Sequence, residues 1–298
     1  MALTFCFARG NRGGSFAAGP AAPVAAAGYD EDAQSYFTAL EAASGWAEPD
    51  DYSDKKDAIS DYVAACKTAG NWEKIKALYI PIWQVAAPNA LSAKRTEEGS
   101  DVTTYDLTWR GTVTHDGGDY VVGDGSSGWG EGPFEGPAGS PTFLSGVTDF
   151  SCSGNVLGAA ALTTYDCLIG WYREAAIYPT FNTTSNVAVY TWKYNNYSSV
   201  ASSGTTAFWA IHSDTPTGAN THKFVLYKDG SSHTTKEGTT SHVYSNKPWG
   251  MLCANWGDTD TSNQAHHSQY HVNFVHVGLA MASAGDFNTD TATLLAAL

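Results

Sequence analysis

Four groups of residues have types and spacings suited to chemistry. Glu131 and Glu135 lie four apart in the run GWGEGPFEGPAG. Glycoside hydrolysis needs two carboxylates about 5–9 Å apart on rigid walls, and a Gly/Pro loop mounts them poorly. A surface loop is the favoured reading. His266, His267, His271 and His276 invite a zinc site. In a strand His267 and His271 share a face, but His276 points the other way, and no HExxH motif or nearby carboxylate completes a site. Polar strand and loop histidines are expected instead. Asp258, Asp260 and Asn263 in GDTDTSN offer oxygen ligands of the kind Ca²⁺ takes. An EF-hand register fails there, with Asn263 at position six and Gln269 at position twelve. An Asx-rich turn is favoured, with calcium the weaker alternative. Trp129, Trp249 and Trp256 sit in or beside Gly, Pro and Asn loops. An exposed indole face is a stacking platform for sugar rings, whereas a buried one plugs a loop onto the core or packs on a neighbouring subunit. Trp109, Trp171, Trp192 and Trp209 lie in strand-like runs and read as core. There is no Walker loop, no GxGxxG after a strand and no GxSxG. No cofactor is expected.

Composition limits the partners. The chain has 298 residues, with 16 Lys plus Arg against 30 Asp plus Glu, a formal net charge of −14. Nucleic-acid binding needs clustered Lys and Arg, so an acidic chain with few basic residues argues against it. Charged residues are 15% of the chain while aromatics are 13%, including 10 Trp and 16 Tyr. That is enough apolar material for a core, which excludes general disorder. No run approaches the roughly 18 apolar residues of a membrane span. The five cysteines, Cys6, Cys66, Cys152, Cys167 and Cys253, are widely spaced without a CxxC. They read as free, mostly buried thiols rather than a disulfide framework or zinc ribbon.

The elements that must position these residues fall into three regions. Residues 1–28 form an arm of Gly, Ala and Pro that lacks an apolar period. Its two arginines follow the short apolar run instead of preceding it, so it does not read as a secretory signal. Residues 29–79 are helical. Asp30 caps a first helix with Ala33, Phe37 and Leu40 on one face, broken by Gly45 and Pro49. Ser53 caps a second with Ile59, Tyr62, Val63 and Cys66 inward, and Gly70 stops it. Trp72, Ile75, Leu78 and Tyr79 make a third short turn or helix. Residues 30–61 hold ten acids and two lysines, a net of −8, which reads as a solvated helical face.

Over residues 80–298 the period becomes that of strands. Tyr105–Arg110, Val187–Tyr194, Thr206–His212, Lys223–Lys228 and Gln269–Gly278 alternate with polar turns. In the last, Tyr270, Val272, Phe274 and His276 are expected on one face and His271, Asn273, Val275 and Val277 on the other. Asp229-Gly230 is a hairpin turn. Many short strands without a long helix predict a two-sheet sandwich.

The run AISDYVAACKTAGNWEKIKALYIPI from Ala58 resembles a helical lead-in of tailed-phage structural proteins. TYDLTWRGTVTHDGGDYVVGDG from Thr104 resembles the early strands of their concanavalin A/laminin G-like jelly roll. HKFVLYKDGSSHTTKEGTTSHVYSNKPWGMLCANW from His222 resembles a later hairpin. VHVGLAMASAGDFNTDTATLLAAL from Val275 resembles the closing strand and terminal helix. The resemblance spans about residues 50–298 and rests on turns and core positions. It implies a mainly β, antiparallel jelly-roll sandwich (80–298) after a small helical subdomain (29–79) and an extended arm (1–28). It also implies a non-enzymatic virion protein, such as a capsid decoration, head-fibre or tail component. Its partners would be other virion subunits and further copies of itself. The alternative is a glycan-binding adhesin meeting host surface glycans, and the third reading is a polysaccharide-degrading enzyme. Enzymes that resemble laminarinases carry Glu-x-Asp-x-Glu on one strand, and this chain has no such string. The arm is expected to anchor on another subunit through Leu3, Phe5, Phe7 and Phe16, with Arg9 and Arg12 pairing to an acidic surface.

Overall fold

The structure is a computed structural model that describes residues 28–97, 100–101, 105–116, 119–132, 150–161, 166–171, 175–179, 186–191, 197–201, 206–214, 222–238, 249–255, 264–265 and 267–298. It begins with two amphipathic helices. In α1 (Glu31–Glu41), Asp30 is the N-cap and accepts from the Asp32 amide at 3.0 Å. Lys67 ties both carboxylates, at 2.7 Å to Asp30 and 2.6 Å to Asp32. α2 (Tyr52–Thr68) begins two residues earlier than it would if Ser53 capped it. Its N-cap is Asp51, whose carboxylate makes no cap bond and instead pairs with Lys55 at 3.1 Å. Gly70, at φ +70°, terminates the helix in the left-handed conformation that glycine adopts freely.

Ile75–Tyr79 is a strand and not a third helix. It pairs antiparallel with Tyr270–Leu279 and is buried on both faces. Ile75 and Leu78 face the helices, while Ala77 and Tyr79 enter the sandwich. The apolar spacing satisfied either period, and the free edge of the neighbouring strand decided it. The segment 29–79 therefore contributes directly to the sheet beyond residue 80.

Two sheets follow, antiparallel except for one parallel pairing of Asn255 with Trp171. The first runs, in order, Ser231–Gly238, His222–Lys228, Ala207–Asp214, Phe150–Ala159, Tyr270–Leu279, Tyr120–Gly123 and Val113–Asp116. The second runs Tyr197–Ala201, Asn186–Thr191, Ala175–Tyr178, Ile169–Trp171, Gly250–Met251, Trp129–Glu131 and Thr108–Arg110. Between them lies one core, including Val156, Trp209, Ile211, Met251, Tyr270 and Val275. A second core joins the other face of the first sheet, at Phe208, Ala210 and Phe274, to Phe37, Ile59, Val63 and Trp72 of the N-terminal segment. The five-residue α3 (Ala86–Ala90) and the C-terminal α4 (Ala284–Ala297) complete the set of α-helices among the described residues. Leu294 is buried in the second core, with Leu295 and Leu298 packed against it. The fold is thus mainly β, an antiparallel sandwich whose helices lie at the two ends of the chain.

Asp229 (φ +49°) and Gly230 (φ +80°) form the expected hairpin turn, closed by Lys228 opposite Ser231. The face assignment within 269–278 is different from expectation. Opposite Tyr270–Leu279, the pairing omits Leu157 on one strand and Asn273 on the other. Each is a bulge, and each shifts the alternation by one. Tyr270 and Val272 therefore point into the sandwich, but Phe274 points to the helices and Val275 and Val277 point back into the sandwich. Cys66, Cys152, Cys167 and Cys253 are free and buried, and burial pushes the Cys66 thiol up to about 12.

Candidate functional site

The tryptophans expected to stack on sugars do not do so at the two described positions. Trp129 is 1% exposed and Trp249 is 0% exposed. A stacking platform needs an open face, and neither ring offers one. Trp249 packs on Tyr79 at 5.5 Å between ring centroids, and its carbonyl accepts from the Gly132 amide at 3.0 Å. Trp129 belongs to a strand, opposite Arg110. Trp256, the calcium candidates Asp258, Asp260 and Asn263, and Glu135 and His266 lie outside the described residues. So do the arm residues Leu3, Phe5, Phe7, Arg9, Arg12 and Phe16.

Glu131 sits at the end of a strand, not in a Gly/Pro loop, and forms an ion pair with Arg110. The loop-mounting objection to hydrolysis therefore does not hold for this carboxylate. The histidines are dispersed. His276 is sealed between sheet and helix, and burial lowers His267 below its ordinary value. No group of three or more His, Cys, Asp or Glu among the described residues could hold a metal ion.

The remaining histidine defines a site that the sequence does not disclose. His271 and Tyr120 stand on adjacent strands, Tyr270–Leu279 and Tyr120–Gly123. Their rings stack in parallel, with centroids 4.1 Å apart and planes 1° from each other. Both are half-buried. On the other side His271 is opposite Gly158. A Cβ built at Gly158 would lie 3.6 Å from His271 Nδ1, so the glycine leaves this flank of the imidazole without a covering side chain. The adjacent bulge displaces Leu157, which at 43% exposure is the exposed large hydrophobic residue among those described. An aromatic pair, a bare glycine flank and an apolar side chain thus adjoin on one stretch of the first sheet.

A stiff loop braces this end. The Asp124 carboxylate accepts from the amides of Ser126 (2.8 Å), Ser127 (2.6 Å) and Gly128 (2.8 Å), and from Ser127 Oγ (2.7 Å). These bonds hold it well below the usual carboxylate range although its burial acts the other way. The Asp124 carbonyl accepts from Gln269 Nε2 at 2.9 Å. The loop that follows the Tyr120 strand is thereby tied to the residue that leads into the His271 strand. Sites on braced strands hold their geometry better than sites on free loops. The sequence signal was the alternation in DYVVG, but nothing in it pairs Tyr120 with His271.

No protein-family model matches the chain, and no curated protein matches it. Among solved structures it is similar to domain 4 of AbnA, a GH43 extracellular arabinanase from Geobacillus stearothermophilus in complex with arabinotriose. The identity is 13% and the TM-score 0.46, with 73% of this chain and 98% of that one covered. It is also similar to Trypanosoma rangeli sialidase in complex with sialic acid, at 12% identity and TM-score 0.41, covering 78% of this chain and 38% of that one. A third is a structure of botulinum neurotoxin type C, whose cell entry is described as dependent upon interaction with two ganglioside molecules. There the identity is 9% and the TM-score 0.42, covering 74% of this chain and 52% of that one. Chains named for arabinanase and sialidase thus stand among the similar structures, and the expectation that this protein is not an enzyme is corrected accordingly.

Proposed function

We propose that this chain is a carbohydrate-binding β-sandwich protein whose binding surface is the Tyr120–His271 stack with its Gly158 flank. The parallel stack carries this reading. A sugar ring has an apolar face of C–H groups and a rim of hydroxyls. It suits a flat aromatic surface edged by polar groups. The imidazole supplies such a face beside Gly158, Leu157 supplies an apolar edge, and the ring nitrogens supply hydrogen-bonding atoms.

The place of such a binder is proposed to be a tailed-phage virion, as a host-recognition component, on the resemblance of residues 50–298. Other virion subunits and further copies of this chain would then be its structural partners, reached through the arm.

A glycan array probed with the full chain and with Tyr120→Ala tests the binding reading. Retention of at least one glycan class, weakened about tenfold or more by the substitution, is the expected result. An array without retention, or retention that the substitution leaves untouched, sinks it.

A further inference from the structure

The helix-facing side of the first sheet holds two imidazoles that the glycan reading does not use. His212 and His276 flank Ser151 and Ser153 of the strand between theirs. They are 1% and 0% exposed. α4 seals both, with the Phe287 ring 5.4 Å from that of His212 and 4.7 Å from that of His276.

The hydrogen bonds around His276 have a definite direction. Ser151 Oγ donates its one proton to the Leu279 carbonyl at 2.6 Å. It must then accept from His276 Nε2, at 3.2 Å, so Nε2 carries the proton. Nδ1 of the neutral ring accepts from the Ser153 hydroxyl at 2.9 Å. A second proton, on Nδ1, would require the Ser153 hydroxyl to turn from donor to acceptor, and the present chain of bonds would be lost. His212 Nε2 lies 3.2 Å from Asn288 Oδ1, an acceptor, and therefore donates. Its Nδ1 is buried without a hydrogen-bond partner among the described residues, as is Asn288 Nδ2. A proton on that Nδ1 would be a buried charge with no acceptor.

We propose that α4 is an acid-released latch, in which protonation of His212 and His276 expels the helix from the sheet while the sandwich stays folded. The hinge is clamped. Asn71 Nδ2 donates to the Ser283 carbonyl and Asn71 Oδ1 accepts from the Ser283 amide, each at 2.9 Å. Ser283 is the N-cap of α4, so the chain is held at the cap while the helix beyond it, Phe287 included, swings away.

The surrounding titratable groups do not compensate the imidazoles. Tyr227, on the neighbouring strand, lies 5.3 Å from the His212 ring. Asp214 and Lys223 pair with each other at 2.6 Å. Lys76 is on the strand paired beside His276. On α2, burial keeps Tyr62 and Cys66 protonated. Asp286 and Asp290 are on α4, and burial and Asp286 push the Asp290 carboxyl up. Acid therefore relieves Asp290, which opposes release.

Burial lowers His212 from 6.5 to about 4 and lowers His276 well below the same value. The latch is thus fully stable above about 6.5 and weakens as pH falls toward the lowered values. From about pH 7.5 to pH 5 each histidine favours opening about thirtyfold, and the two together about a thousandfold.

Native-state hydrogen exchange on the full chain, from about pH 7.5 down to about 4.5 and corrected for intrinsic rates, tests this. Protection of α4 amides should fall about a thousandfold between about pH 7.5 and about pH 5, while amides of Phe150–Ala159 keep theirs. In His212→Gln the fall should shrink to about thirtyfold, because Gln still donates to Asn288 but does not titrate. Flat α4 protection in the wild type overturns the proposal. So does loss of α4 and strand protection at the same pH, or a folded His212→Gln with the wild-type slope. If that variant does not fold, the wild-type profile decides alone.

Discussion

Asn155 Nδ2 donates to Asn273 Oδ1 at 2.8 Å, and this bond stands at the bulge where the Tyr270–Leu279 strand reverses its faces. Both amides are nearly buried. The bond gives the extra residue a partner, so that His271 is outward on one side of the bulges while Val275 is inward on the other.

Asn155→Ala should therefore cost about 1–3 kcal/mol, because Asn273 Oδ1 would be left buried without its donor. Equilibrium denaturation measures this. A variant as stable as wild type would show that the bulge does not depend on the pair.

Gly158→Val should weaken glycan retention about tenfold or more with little loss of stability. A Cβ there meets only ordinary contact, and valine suits a strand, but its methyl groups crowd the open flank of His271. Titration of the glycan found on the array, beside a melting curve, checks both halves. Unchanged affinity would place the sugar elsewhere.

Asp124→Ala should loosen the brace, since three amides and one hydroxyl lose their acceptor. The cost is about 1–2 kcal/mol, as these bonds are largely exposed. The Asp124 carboxyl is lowered in the folded state, so its stabilisation is complete above about 3.9 and is lost as pH falls below that. The stability difference between wild type and variant should shrink only in that acidic range. A difference that shrinks already near neutral pH contradicts this assignment.

Asp32→Ala should cost about 2–3 kcal/mol. Asp32 accepts from the buried Trp72 Nε1 at 2.9 Å and pairs with Lys67 at 2.6 Å. The loss would leave the indole N–H buried and unsatisfied, where Lys67→Met would remove only a half-exposed charge and should cost less. The order of the two melting temperatures is the measurement.

Local chemistry was legible in the sequence. Asp30 as a cap, Gly70 as a stop, the Asp229-Gly230 turn and the change of period that makes the chain mainly β are all decided within a few residues of themselves. The described cysteines read as free thiols from their wide spacing, and they are free. Pairing between distant strands was not legible. Ile75–Tyr79 matched helix and strand alike until the edge of Tyr270–Leu279 took it up. Trp129 and Trp249 sit among loop-forming residues in sequence, yet cross-strand neighbours bury them. Tyr120 and His271 meet because two strands far apart in sequence pair side by side. Hydrophobic period is a property of a short segment, whereas the face a side chain presents depends on register with a partner strand. One extra residue in either strand reverses that face, so the candidate site was decided by the tertiary structure.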